Sequence, residues 1–109
     1  MEYPIKTQSD IDLDPDKPML PTSVLVKMLN ISQRKLRSYE ETKVLVPTRT
    51  QKNRKLYSFN DVETGKFIQY LAKTLGINLI GVKIILILLI GNKIEPENYF
   101  DFINTITKS

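Results

Sequence analysis

The 109-residue sequence contains no cysteine, no histidine and no tryptophan, and only four glycines. Without cysteine or histidine, the chain cannot form a disulfide, a zinc finger or a thiolate redox sensor, and it lacks an imidazole for acid–base chemistry. No glycine-rich phosphate loop is present. Four alternating acids lack the glycine and closing glutamate of a calcium loop: Asp10, Asp12, Asp14 and Asp16. We therefore predict that the protein is not an enzyme and binds no metal or cofactor.

Long hydrophobic runs are also missing. The most apolar segment, Leu79 to Ile90, has twelve residues and is interrupted by Gly81 and Lys83, whereas a membrane-spanning helix needs roughly 20 apolar residues. The N-terminus is acidic and has no apolar run of the kind found in secretory signals. We therefore expect one small cytoplasmic domain that does not associate with a membrane.

The charge is unevenly distributed along the chain. Residues 1–20 carry a net charge of −3 and three prolines, which indicates a flexible acidic arm. Residues 27–66 hold ten basic against four acidic side chains, whereas residues 67–109 have a net charge of only +1. A basic block of this kind is typical of a nucleic-acid footprint, although a solvated charged surface is the alternative.

Apolar spacing predicts two short helices after Pro21. The first has Thr22 or Ser23 as its cap and one apolar face, formed by Val24, Leu25, Met28 and Leu29. Asn30 tolerates the left-handed conformation that ends a helix, and Ser32 can cap a second helix that reaches about Glu41. Two short helices joined by a turn of about three residues form a helix-turn-helix motif.

The next segment predicts a small basic hairpin followed by a third helix. Residues 44–47 form an extended connector that ends in proline, and Arg49 to Tyr57 has two short arms with no glycine in the turn. Ser58 or Asn60 caps the third helix, which ends at Gly76. We assign residues 21–76 to a DNA-binding domain.

A fourth helix from Leu79 to about Ile90 and a short last helix beginning near Pro96 complete the predicted elements. The fourth helix is apolar on nearly every side, and a chain of this size has little material to cover it. Either the aromatic residues after Gly91 fold back over it, or the exposed strip forms a dimer interface. We assign residues 77–109 to core completion and dimerisation.

Several of these segments resemble the MerR family of winged helix-turn-helix regulators. VLVKMLNIS (24–32) and LRSYE (36–40) resemble its first two helices, where LGIS and LRYYE are usual, and VLVPTRT (44–50) and RKLYS (54–58) are similar to its connector and wing. LGINLIGVKIIL (75–86) is similar to the heat-shock repressor branch. The resemblance covers about residues 20–90, and it implies a mainly helical fold with a β-hairpin wing.

The resemblance also implies a function. Members of this family bind operator DNA as dimers, with the second helix in the major groove and the wing on the adjacent backbone, and the heat-shock branch represses transcription. This sequence departs from the family in the wing turn and in lacking the long coiled-coil helix that usually makes the dimer. We therefore expect a dimer interface built from the fourth and last helices.

DNA recognition requires polar side chains on one helix face and cations on the wing. The second helix supplies base-reading and phosphate-binding candidates: Ser32, Gln33, Arg34, Lys35, Arg37, Ser38 and Tyr39. The hairpin supplies four cations for the backbone or the minor groove: Arg49, Lys52, Arg54 and Lys55. Glu40 can pair with a neighbouring cation and orient it.

Alternatives stay open for several of these residues and for the function. Arg34, Lys35 and Arg37 also fit a solvated helix face, and Tyr39 and Tyr57 equally fit the core. The leading hypothesis is a transcriptional repressor that binds double-stranded DNA as a homodimer. The alternatives are an excisionase-like architectural factor and a protein-interaction module. A chaperone, RNA polymerase or a recombinase is a candidate protein partner.

Overall fold

The computed structural model describes residues 14–108. This part of the chain is mainly helical and has a small antiparallel sheet, which confirms the predicted fold class. A π-helical turn (Tyr70–Thr74) follows the third α-helix, and a 3-10 turn (Pro96–Asn98) precedes the last. The other elements are β1 (Leu20–Pro21), α1 (Thr22–Leu29), α2 (Gln33–Thr42), β2 (Thr48–Arg49), β3 (Lys55–Tyr57), α3 (Phe59–Gln69), α4 (Leu79–Gly91) and α5 (Tyr99–Thr107).

The sheet contains a strand that the sequence pattern does not reveal. That strand is β1. The strand order of the sheet is β1-β3-β2, and all neighbours are antiparallel, with Leu20 opposite Tyr57 and Thr48 opposite Leu56. The predicted hairpin is therefore present, but its second strand lies at the centre of the sheet. Because Pro21 ends β1 and occupies the N-cap position of α1, Thr22 lies inside the first turn. The prediction that Thr22 or Ser23 caps α1 is therefore wrong.

Ordered contacts begin before the predicted boundary at residue 20. The backbone N–H of Asn60 donates to the carbonyl of Pro15, and the Asn60 amide donates to Asp16 at 2.6 Å. Met19 donates its N–H to the Tyr57 carbonyl. Residues 14–20 are thus fixed against α3 and β3, which corrects the expectation that structure begins at Pro21. The rest of the predicted arm, including Asp10 and Asp12, lies outside the described residues.

Local signals place the helix-turn-helix as predicted. Asn30 ends α1 in the left-handed conformation, with φ 54°, and Ser32 caps α2 by accepting a hydrogen bond from the Lys35 N–H at 3.0 Å. The side chain of Gln69 donates to the Leu29 carbonyl at 2.7 Å, so that α3 satisfies a free carbonyl at the end of α1. Most of the core joins these helices to the sheet and to α4; it includes Leu25, Leu36, Tyr39, Tyr57, Val62, Phe67, Ile68, Leu71 and Val82.

Helix α3 packs against α1, the 3-10 turn and α5. Ser58 caps it in a reciprocal capping box with Asp61, which confirms one of the two predicted caps. A Cβ atom added at Gly65 would lie 2.5 Å from Cδ1 of the buried Leu29 side chain, so a larger residue at this position requires Leu29 to shift. Gly76, at φ 70°, follows the π-helical turn and breaks the helical path before α4.

Helices α4 and α5 bury only part of their apolar surface. The buried side of α4 is formed by Val82, Leu86 and Leu89. Helix α5 packs chiefly on α3, where the Phe67 and Tyr99 ring centroids are 5.1 Å apart, and it leaves the other side of α4 exposed. With 13 residues, α4 is short, and within residues 14–108 no helix combines the length and hydropathy of a membrane span.

Candidate nucleic-acid interface

The exposed face of α2 carries most of the predicted contact residues. Leu36 and Tyr39 are the buried residues of this helix, and they hold its inner side against the core. The polar side chains point away from that core, and those of Gln33, Arg34, Lys35 and Arg37 are all exposed. Arg34 and Arg37 are three residues apart, so they share one face of the helix. This face offers guanidinium and amide groups, which are the groups that read base edges.

The start of α2 is open to solvent. Ser32 is exposed, and its hydroxyl caps the N–H of Lys35, which leaves the N–H groups of the first turn near a positive helix end. A helix start of this kind attracts phosphate. Ser38 lies further along and is half-buried, with its hydroxyl 3.4 Å from the Arg34 carbonyl.

Tyr39 does not belong to this exposed face. Only 2% of its surface is accessible, and burial raises the pKa of its hydroxyl. The Tyr39 side chain lies with Leu36 on the buried side of α2. The backbone carbonyl of Tyr39 accepts a hydrogen bond from the N–H of Val44. A phosphate contact through Tyr39 is therefore not favoured, because almost none of the side chain reaches the surface. The core alternative fits this residue.

Five residues, 50–54, connect β2 to β3 at the wing, and the Thr50 N–H donates to the Arg54 carbonyl at 3.0 Å, which leaves a three-residue turn at the tip. The N–H of Asn53 donates to the Thr50 carbonyl at 2.8 Å, and Asn53 adopts a left-handed conformation with φ 63°. A turn followed by one left-handed residue is a common hairpin geometry in which glycine is usual. Asn53 replaces glycine here because asparagine tolerates this conformation better than most residues.

The four wing cations differ in exposure and in their hydrogen-bond partners. Lys52 and Arg54 are exposed. Arg49 is exposed as well, but its guanidinium donates to the backbone carbonyl of Asn53 at 3.0 Å and so stiffens the turn. Lys55 is half-buried, and its ammonium lies 2.8 Å from Oε1 of Glu40. The structure thus confirms that Glu40 pairs with a neighbouring cation.

A hydrogen-bond network joins α2 to the central strand of the sheet. Glu40 accepts from Lys55 through one carboxylate oxygen and from the hydroxyl of Tyr57 through the other. Burial raises the pKa of Glu40, but the hydrogen bonds from Lys55 and Tyr57 outweigh that effect and hold it below its ordinary value. Burial and the neighbouring Glu40 raise the pKa of the Tyr57 hydroxyl. Glu40 is therefore ionised at neutral pH.

Helix α2 and the wing meet at one small concavity. A cavity of about 70 Å3 lies between α2 and β3, and its walls include Gln33, Arg37 and Lys55. Predicted residues from two separate segments thus line one surface, and Glu40 lines it too. Thr22, at the start of α1, is a further wall residue. The sequence pattern does not place Thr22 at this surface, because it indicates only a helix cap there.

Comparison with known proteins gives a consistent result. A family model described as MerR HTH family regulatory protein matches residues 20–87. The HTH-type transcriptional regulator GlnR of Bacillus anthracis, like that of Bacillus cereus, is 38% identical over 71 residues, which are 65% of this chain and 54% of the relative. Heat shock protein HspR of Streptomyces coelicolor is 30% identical over 78 residues, 72% of this chain and 52% of the relative. The chain spans about half the length of the curated relatives it matches.

Proposed function

The chain belongs to the MerR family of helix-turn-helix regulatory proteins, and on that premise we propose that it binds double-stranded DNA as a sequence-specific transcriptional regulator. The family consists of regulators, which agrees with the prediction that the chain is not an enzyme. Residues 21–76 serve as the DNA-binding domain in this proposal, and α2 enters the major groove.

One observation carries the proposal. An exposed row of polar and basic side chains on α2 lies beside the wing across a shared concavity lined by Gln33, Arg37 and Lys55. The shared concavity shows that this row and the wing belong to one continuous surface. Two adjacent elements with these side chains suit a duplex, because one can read base edges while the other holds the neighbouring backbone.

Most of the candidate residues have a role in this proposal. Gln33, Arg34 and Arg37 contact base edges, and Ser38 assists at the end of that row. Ser32 and Lys35, at the start of α2, contact phosphate through the helix end and the ammonium. Three wing cations, Arg49, Lys52 and Arg54, contact the adjacent backbone or the minor groove. Tyr39 is left out because it is buried.

The direct test is selection of bound duplexes from a random pool at a stated salt concentration. A sequence-specific regulator enriches one motif, and affinity for that motif exceeds affinity for random DNA by about 10³-fold or more. An architectural, excisionase-like factor binds with much less sequence preference and bends the duplex. Failure to retain any duplex in 50 mM salt would refute the DNA-binding proposal.

We infer repression as the mode of action, on two grounds. Residues 75–86 resemble the heat-shock repressor branch, and one relative is named heat shock protein HspR. A compact protein bound over a promoter blocks polymerase by occupancy alone, and this requires no further partner. Placing the selected motif over a test promoter and measuring transcripts decides the mode, because an activator would increase them. A chaperone, RNA polymerase or recombinase partner stays a prediction.

We further propose that the protein is a homodimer, with residues 77–109 as the dimerisation segment. The α4 stripe, defined as Ile80, Ile84, Ile87 and Leu88, is 55–62% exposed. Its first three members are spaced four and three residues apart, as along a coiled-coil seam, so that the same ridge on a second copy can pack into it. Large apolar strips of this kind rarely face water in a free protein.

Helix α5 widens the same apolar surface. Phe102 and Ile106 are 40% and 56% exposed, and they border a cavity of about 290 Å3 that also reaches Leu88. Lys83 is the one charged residue of α4. A symmetric pair of such surfaces buries both stripes at once and places two recognition helices in one assembly, as two DNA half-sites require.

A further inference from the structure

Glu40 links the two elements that the proposed function assigns to DNA. It lies on α2 one turn after Arg37, and its side chain is 15% exposed. Its two carboxylate oxygens accept hydrogen bonds from Lys55 and Tyr57, both on β3. We call these three residues the wing bridge. Residues 55 and 57 point to the same side of the strand, because side chains alternate along a strand.

The two hydrogen bonds constrain the strand in different ways. Tyr57 is fully buried, so its hydroxyl is held by the core. Lys55 lies two residues nearer the wing tip and is 36% exposed at its side chain. A carboxylate that accepts both donors is fixed in orientation, and a rotation of β3 against α2 would break at least one of these bonds.

The constraint reaches the tip of the wing. Lys55 is directly opposite Arg49 in the sheet register. Arg49 in turn donates to the carbonyl and the side chain of Asn53, the left-handed residue of the turn. An unbroken series of polar contacts and strand pairing therefore runs from α2 through β3 and β2 to the loop that carries Lys52.

We propose that Glu40 is a positioning residue that holds the wing at a fixed angle to the recognition helix, and that Lys55 serves this bridge and does not bind phosphate. This revises the prediction that all four wing cations grip DNA. The inference rests on the proposed DNA-binding function for its consequences in binding, whereas the position of the wing can be measured on the free protein.

The first experiment measures the wing angle without DNA. Because the chain has no cysteine, spin labels can be attached at two exposed sites only, by Glu41→Cys on α2 and Gln51→Cys on the wing. Pulsed electron paramagnetic resonance then gives the distribution of the distance between the two spin labels. Excess unlabelled protein suppresses distances between labels on different copies. We expect a single narrow distribution in the otherwise native chain.

The variants remove either the acceptor or one of the two donors of the wing bridge. Glu40→Gln, Lys55→Met and Tyr57→Phe should each broaden or shift the distribution. The matched control is Glu63→Gln, which removes the exposed 3.6 Å ion pair with Lys66 on α3, and it should leave the distribution unchanged. A purely structural role for Glu40 would lower the melting temperature and leave the distance distribution as narrow as before; that result overturns the proposal.

The second experiment asks what Lys55 does on DNA. Lys52→Met should lower the slope of log affinity against log salt by about 0.9, the value for one phosphate contact. Lys55→Met and Glu40→Gln should lose affinity for the selected duplex by about tenfold, a typical coupling within one network, with the slope unchanged. If Lys55→Met lowers the slope as Lys52→Met does, Lys55 binds phosphate and the inference fails. If even the native chain binds no duplex, the proposed function fails, and the spin-label distances still judge Glu40.

Discussion

The two exposed faces of the molecule contrast in chemistry but not in burial. Helix α2 buries two of its ten residues and α4 buries three of thirteen. The remaining surface of α2 is polar and basic, whereas that of α4 carries one lysine among isoleucines and leucines. A polar face is stable in water, so its exposure alone does not indicate a binding partner. An exposed aliphatic face is unfavourable in water, and it therefore indicates a partner on physical grounds alone.

The largest expected effect comes from disrupting the exposed apolar face of α4, which tests that face separately from the polar face of α2. Ile84→Glu with Ile87→Glu should convert the proposed dimer into a monomer, at a cost of about 2–4 kcal/mol per central side chain. Each substitution occurs twice in a symmetric dimer, so the change in the dimer dissociation constant is larger still. Sedimentation velocity at micromolar concentration measures this change.

The matched control is Met28→Glu, which places the same charge at a side chain that is 43% exposed on α1, and it should leave the assembly intact. Should the native chain sediment as a monomer and bind a single half-site tightly, the excisionase-like alternative would replace the dimer.

The next effect concerns the core that the two faces share. Gly65→Ala should destabilise the fold by about 1–3 kcal/mol, because the new Cβ would overlap the buried Leu29 side chain and force it out of its present packing. For a chain of this size, each kcal/mol lowers the melting temperature by roughly 4–8 °C. Gly91→Ala is the control, since a Cβ there meets nothing within 4 Å. Equal melting temperatures for the two variants would show that the Leu29 side chain can repack without cost.

A similar effect, confined to the polar face, is expected for Arg37. Arg37→Ala should cost about 1–3 kcal/mol on the selected duplex if the guanidinium makes a bidentate base contact. The fold should be unaffected because the side chain is exposed. Titration of selected and random duplexes measures the difference, and Lys66→Ala, a cation on α3, serves as the control. Comparable losses on both duplexes would mean that Arg37 touches only phosphate.

The smallest effect comes from the acidic segment. Residues 1–13 hold one lysine against three acidic side chains, and their charge can compete with DNA for the basic face. Deletion of residues 1–13 should tighten binding by at most a few-fold at low salt and have no effect at high salt. The deletion has to stop there, because Pro15 and Asp16 contact Asn60. Equal affinity at low salt with and without residues 1–13 would end this idea.

The features that could be predicted from the sequence are those determined by neighbouring residues. Ser32 as a cap and Asn30 as a left-handed helix end both follow from spacing within one turn. The hairpin was predicted for the same reason. Its turn residue was not, because the sequence shows no glycine and gives no sign that Asn53 takes its place.

The features that were missed depend on contacts between distant segments. Strand β1 has two residues and pairs with β3 more than thirty positions away, so no period marks it. The Glu40–Lys55 pair joins residues fifteen positions apart, and only the fold determines which cation Glu40 meets. The sequence does not determine whether Tyr39 is buried, for a related reason. A tyrosine on a helix fits the core and the surface equally well until its neighbours are known.

The dimensions of the sheet have a consequence for aggregation. An unpaired strand edge offers backbone groups to other chains and can seed fibres. Here both edge strands, β1 and β2, have only two residues, and β1 ends in Pro21, which has no N–H to donate. Because the sheet is so poor a template, we expect self-association at high concentration to proceed through the aliphatic face and to produce discrete particles or amorphous precipitate, without cross-β fibres.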